Sequence, residues 1–278
     1  MPMDDHRPGP GVPSRGGAGR GGWRPDGPRN DIRRGPSSAA DAPRRASRPD
    51  EPDLPDEVLA SALDKDVRRD LLSLDKSNAE AVARHLVMAG ALVDDDPALA
   101  LSHARAARNR AGRIAAVREA VGITAYHAGE WAEAIAELRA ARRMAGGPGL
   151  VAVIADCERA LGRPERALEL GRSEQARALG PDEATELRIV LAGARQDMGQ
   201  LDAAVVMLQT PELDPERTGT PAARLFYAYA DALVVAGRRD DAVRWFLNAA
   251  QADVDGETDA EDRLEELGGS SPAGGTLE

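Results

Sequence analysis

The chain's 278 residues are 42% hydrophobic but only 3% aromatic, so any core must be built from Ala, Leu and Val, a composition that favours helices. Its 36 basic and 47 acidic side chains give a net charge of −11, which excludes a wholly basic nucleic-acid binder but leaves room for a local basic segment. The single cysteine, Cys157, excludes an internal disulfide and a cysteine-based zinc site, and no apolar run approaches the roughly 18 residues of a membrane span.

The first fifty residues hold ten Arg, no Lys, six Asp, nine Gly and nine Pro. So dense a scatter of Gly and Pro breaks both helix and strand, and too few large apolar side chains remain to offset the entropy of ordering the backbone. Residues 1–52 are therefore expected to form a disordered Arg/Gly/Pro-rich leader, and residues 268–278 a flexible tail. The pair Arg33-Arg34 is followed by no hydrophobic stretch, so no twin-arginine export signal is expected and the expected location is cytoplasmic.

From residue 53 to 267, Ala, Leu, Arg and Glu recur at helical spacing and no strand-like alternation is sustained. Val58, Leu59, Leu63, Val67, Leu71 and Leu74 fall largely on one face, which predicts a capping helix over 56–74 with Asp56 as its cap. After it, Ala100, Ala134, Ala167, Ala204 and Ala242 follow one another at intervals of 34, 33, 37 and 38 residues. Five positions before each stands a turn residue, Asp95, Gly129, Gly162, Gly199 or Gly237, and small residues recur twelve positions before, as at Gly122 and Ala230. Helix pairs are expected over about 78–111, 112–147, 148–181, 182–215 and 220–253, with Gly122 facing Ala134 and Ala230 facing Ala242, and a second capping helix over 257–267. In the third pair Gly171 and Glu174 stand at the positions that Leu138 and Ala141 hold in the second pair and Phe246 and Ala249 in the fifth.

The stretch Ala115 to Pro148, with Val121-Gly122, Tyr126, Gly129-Glu130-Trp131-Ala132-Glu133-Ala134, Leu138 and Ala141, resembles the tetratricopeptide repeat, as do Phe226, Tyr229-Ala230, Gly237, Ala242, Phe246 and Ala249. In overall style the chain resembles uncharacterised tetratricopeptide-repeat proteins of high-GC actinobacteria, a likeness that implies no reaction and no particular partner. The resemblance implies an all-α, right-handed superhelical solenoid of about five helix-turn-helix repeats capped at both ends. It also implies a concave groove lined by the first helices. Carried onto this sequence, its positions give His85, Glu119, Tyr126, Asp156, Arg159, Glu186, Gln196, Arg224, Tyr227 and Asp231 as candidate partner-binding residues. Family members that hold the acidic C-terminal peptide of heat-shock chaperones use Lys and Asn at these positions. This chain has neither there, so a basic peptide is the expected guest.

No chemistry-bearing motif accompanies the repeats. His85, His103 and His127 lie on different expected helices without ligand spacing, so no metal and no cofactor are expected, and Cys157 reads as a small core residue. Asp96 before Pro97 reads as a helix cap, Trp131 as a core aromatic of its repeat, and His127 as a helix-end residue. The expected function is a non-enzymatic scaffold or adaptor that binds a peptide or partner protein in the groove. The alternative is an RNA-associated protein acting through the leader, where Arg15-Gly16-Gly17 and Arg20-Gly21-Gly22-Trp23-Arg24 resemble Arg-Gly-Gly segments that pair with phosphates and stack on bases. A third reading is autoinhibition, with the basic leader lying in the acidic groove. Because the leader has little apolar surface to dock, a chain beginning at Glu51 is expected to keep the melting temperature and helical circular dichroism of the full chain; a loss of several degrees would contradict this.

Overall fold

A computed structural model of the chain describes residues 51–269, which contain two 3-10 turns and thirteen α-helices, with no strand among the described residues. The leader up to residue 50 and the tail from residue 270 lie outside them. The described part divides between Thr210 and Pro211 into two compact units, each taken by itself.

The first unit opens with a 3-10 turn at Ala60–Ala62, helix α1 at Lys65–Asp70 and a second 3-10 turn at Leu71–Ser73. The single capping helix expected over 56–74 is thus broken, and Asp56 does not cap it. Leu63 takes an extended conformation, and the Asp64 carboxylate accepts the Asp66 and Val67 N–H groups at 2.7 and 3.1 Å, which starts a new helix. The breaks let Leu63 and Leu71 join Val82, Leu86, Val117 and Ala120 in one apolar cluster.

Nine helices follow: α2 Lys76–Leu92, α3 Pro97–Ala111, α4 Ala115–His127, α5 Trp131–Ala145, α6 Val151–Ala160, α7 Pro164–Leu170, α8 Glu174–Arg177, α9 Pro181–Asp197 and α10 Leu201–Leu208. Neighbours pack in sequence order. The pairs α2/α3, α4/α5, α6/α7 and α9/α10 lie against each other, with α3 on α4, α5 on α6, and α6 and α7 on α9.

The same turn recurs at the glycines that set the period. Gly129 has φ 78°, its N–H donates to Tyr126 O at 3.1 Å, and the Glu130 N–H reaches back to Ala125 O at 2.8 Å. Gly162 and Gly199 repeat this pattern, with Arg163 N–H donating to Glu158 O and Gln200 N–H to Arg195 O, each at 2.9 Å. The left-handed glycine satisfies the last carbonyls of one helix and reverses the chain into the next. The first pair uses other chemistry: the Asp96 carboxylate accepts the Leu99 N–H at 3.0 Å and Pro97 occupies the first turn, as the sequence suggested.

Close packing is carried by Ala100, Ala134, Ala167 and Ala204, all fully buried. At Gly122 the close approach is made to Leu138, one turn after Ala134 on α5: a Cβ on Gly122 would lie 2.5 Å from the Leu138 side chain. The third pair departs from the repeat expected over 148–181: α7 ends at Leu170, and Ser173 caps the short α8 by accepting the Ala176 N–H at 3.2 Å. Leu191 of α9 presses so close on Gly171 that a Cβ there would meet its Cδ1 at 2.3 Å. The fourth pair is also short, since α10 ends at Leu208 and residues 209–219 carry no helix.

The second unit contains α11 Thr220–Val235, α12 Arg239–Ala252 and α13 Ala260–Gly269, the last starting later than the cap expected over 257–267. Gly237 makes the same left-handed turn, with Arg238 N–H donating to Leu233 O at 2.8 Å. Phe226, Ala230, Ala242 and Phe246 are fully buried, and half-buried Trp245 packs on the rings of Phe226 and Tyr229 at 5.3 and 5.2 Å. Helix α13 lies on α12 with the Arg263 guanidinium over the Phe246 ring at 5.4 Å.

Because Leu138 is buried and its side chain fills the space that a Cβ would need, Gly122→Ala is expected to destabilise the chain by about 1–3 kcal/mol in a urea titration. Combining it with Leu138→Ala should cost less than the sum of the two single changes; strict additivity would show that the two residues do not meet.

Candidate functional site

The first helices of successive pairs in the first unit are joined by a row of polar side chains. From α4, the Tyr126 hydroxyl donates to Asp156 Oδ2 on α6 at 2.6 Å. The other oxygen of Asp156 accepts from Arg159 Nη1, one turn further along α6, at 2.9 Å. Arg159 also donates to both carboxylate oxygens of Asp197 on α9, from Nε at 2.8 Å and Nη2 at 3.3 Å. Gly193 makes this geometry possible: the guanidinium lies flat on it, and a Cβ there would stand 2.4 Å from Cζ. Tyr126 in turn receives Trp131 edge-on, with ring centroids 5.5 Å apart, and Trp131 is half-buried rather than fully enclosed.

Asp156 was expected to stand open in an acidic groove. It is half-buried and bound on both oxygens, because Arg159, only 17% exposed, lies between it and Asp197. Glu186 and Gln196 lie half-buried on α9. The side chain of Glu119, half-buried on α4, has no hydrogen-bond or ion-pair partner among the described residues, unlike those of Asp156 and Glu186. Burial alone raises its carboxyl above the usual carboxylate range.

His85 is corrected outright. It is 1% exposed and faces His103, also 1% exposed, so it is a core residue rather than a groove residue. Its side chain is enclosed by the segment that precedes α1, which the repeat pattern does not register. His127 ends α4, as expected. Cys157 is buried, and its thiol is pushed up to about 12, chiefly by that burial. Among the described residues no group of three or more His, Cys, Asp or Glu is placed to hold a metal ion, and no helix is long and apolar enough to cross a membrane.

In the second unit Tyr227 and Asp231 of α11 both face α13. Asp231 was expected to be exposed; it is half-buried and accepts from Arg263 Nη2 at 2.9 Å. Burial raises its carboxyl, and Arg263 opposes that shift. Burial and a hydrogen bond with Asp259 push the Tyr227 phenol well above its ordinary range. Arg224 is half-buried on the same helix. The leader candidates Arg15, Arg20, Trp23 and Arg24 lie outside the described residues.

Sequence reasoning missed a second network, on the α3–α5 side of the first unit. Arg105 and Arg108 of α3 both bind Glu133 of α5, and Glu137 accepts from Arg108 Nη1 at 2.7 Å and from Arg118 Nη1 at 2.8 Å. The hydrogen bond from Arg105 is the chief cause that holds the Glu133 carboxyl below its ordinary range. On the next helix Glu158, 2% exposed, accepts from Arg139 Nη2 at 3.0 Å. The Arg-to-Glu separations of 25–29 residues between α3 and α5, somewhat under one repeat, are the only signal in the sequence that marked it.

Two outcomes test this geometry. Arg159→Ala strips the counterion from Asp156 and Asp197 together and is expected to cost about 1–3 kcal/mol in urea. Glu119→Gln should instead stabilise the chain at pH 7. A carboxyl whose folded value is raised contributes its stability below its unfolded value of 4.5 and loses it as pH rises, so the gain should vanish on acidification below that value. No protein-family model matches the chain, and no curated protein matches it.

Proposed function

We propose that the protein is a non-enzymatic adaptor of the tetratricopeptide-like class, which takes a basic peptide or the basic segment of a partner protein on the first-helix face of its first unit. The support for helical repeats of this class is the recurrence of one turn, with the same pair of backbone hydrogen bonds, at Gly129, Gly162, Gly199 and Gly237. The observation that carries the choice of partner is Glu119. Leaving a half-buried carboxylate without a counterion is unfavourable in the free protein, and an incoming Lys or Arg relieves it. The neighbouring acids need no such guest, since Arg159 neutralises Asp156 and Asp197. Tyr126 and Ile123, half-buried on the same helix as Glu119, add apolar surface for the stem of a long basic side chain.

The test is fluorescence anisotropy with a labelled peptide library carrying one or two Lys or Arg in apolar surroundings. At 150 mM salt, Glu119→Gln is expected to weaken the selected binders by about tenfold. Glu165→Gln, which removes an exposed acid of the same unit, should leave them unchanged. Equal affinity in the Glu119 variant and the wild type, or equal loss in both variants, would show that only the chain's overall negative charge attracts the peptides.

A further inference from the structure

Residues 51–58 precede the first 3-10 turn and lie on α2 and α3. None of them is fully buried as a residue, so apolar contact contributes little to holding them. Their attachment is polar. Arg84 of α2 donates to three backbone carbonyls of the segment: from Nε to Val58 O at 2.8 Å, and from Nη2 to Pro55 O at 2.7 Å and Leu54 O at 3.4 Å. At the start of the segment the Glu51 side chain, 5% exposed, is bound by Arg110 Nη2 of α3.

Beneath Glu51 stands the buried histidine pair. His85 Nδ1 and His103 Nδ1 are 3.0 Å apart, and His85 Nε2 is 3.9 Å from Glu51 Oε2. Only one of the two Nδ1 atoms can carry the proton between them. The carboxylate beside Nε2 favours the tautomer in which His85 keeps its proton on Nε2 and accepts from His103 Nδ1–H. A further proton on the pair creates an imidazolium in the core. The groups that act on it are His103 and Arg110 of α3, Arg84 of α2 itself and Glu51 of the segment. Three of these repel or compete with the new charge, and the one carboxylate is already shared with Arg110. The 3-10 turns and α4 contribute Leu63, Leu71, Val117 and Ala120 to the apolar cluster of this unit.

We propose that residues 51–58 form an acid-released strap: the His85–His103–Glu51–Arg110 cluster holds them on α2 and α3 at neutral pH and releases them on acidification, while the rest of the first unit stays folded. Release lets His85 Nε2 reach water and frees the chain's anchor at Glu51. Burial first, and His103 second, hold His85 at about 4 in the strapped state, against 6.5 in solvent, and burial also lowers His103. A depressed value means that the open state binds the proton more tightly. The strap is therefore fully held above about 6.5 and weakens as pH falls, the equilibrium for His85 alone moving towards a limit of about 300-fold that is reached below about 4. The rest of the unit resists because its apolar cluster does not contain the segment.

The test is NMR on the 15N-labelled full chain at pH 7.5 and 5.0. The Val58 amide donates to Pro55 O at 3.1 Å inside the strap. Its exchange protection, corrected for intrinsic pH dependence, is expected to fall by about 30-fold, and the heteronuclear NOE of residues 53–58 to collapse, while amides of α4 to α6 stay protected. A His85→Gln/His103→Gln chain should show no such change between the two pH values. The proposal is overturned if the strap stays protected at pH 5.0, if the double variant loosens as much as wild type, or if α4 to α6 open with the strap. Should the variant fail to fold, the imidazole resonances of the wild type decide: titration of both rings near 6.5 in the strapped protein overturns the idea, and values well below it, tracking the loss of the Val58 protection, support it.

Discussion

With 3% aromatic residues the chain cannot fill wide gaps between helices, so its helices must approach closely enough for alanine to serve as core. Ala100, Ala104, Ala107, Ala134, Ala155, Ala167 and Ala204 of the first unit are all fully buried. Close approach fixes much else. It brings Leu138 onto Gly122 and Arg159 onto Gly193, two places where any larger residue would push the helices apart. It also favours a tight reversal, which the left-handed glycine supplies at three turns of the first unit and one of the second.

Close packing leaves little room for unpaired charge, and several acids set between the helices are met by arginines. Glu133 and Glu137 receive guanidinium groups from α3 and α4, Asp156 and Asp197 share one arginine, and Asp231 takes Arg263. Apart from Arg159–Asp156, which lies within α6, these pairs link one helix to another, so they help fix how the helices lie against one another even where their net contribution to stability is small. Glu119 stands outside this scheme. The binding role proposed for Glu119 rests on this difference.

The polar attachment of residues 51–58 follows from the same scarcity of apolar side chains. Leu54 and Val58 are only half-buried, so the segment is held by Arg84, Arg110 and the histidine pair rather than by a hydrophobic seat. An attachment built from hydrogen bonds and titratable groups responds to protons in a way that an apolar one does not.

Read alone, the sequence determined that the described chain is helical, where the turns fall and which alanines are buried. These depend on spacings of a few residues and on the φ that only glycine adopts freely, both properties of the local chain. It also placed Asp96 correctly as a cap. It did not show that the helix over 56–74 breaks, since that follows from Leu63 and Leu71 both reaching one core across an extended residue. Nor did it reveal that α7 stops at Leu170, where Leu191 of a helix twenty residues further on occupies the space. The candidate face changed most: His85 became core, and Asp156 and Asp231 proved to be neutralised. Tyr126, Asp156 and Asp197 are separated by 30 and 41 residues and meet only because the helices that carry them are stacked. Periodicity fixes which side of its own helix a residue occupies, but the partner of a charge is chosen by packing between helices, and only the tertiary structure decides that.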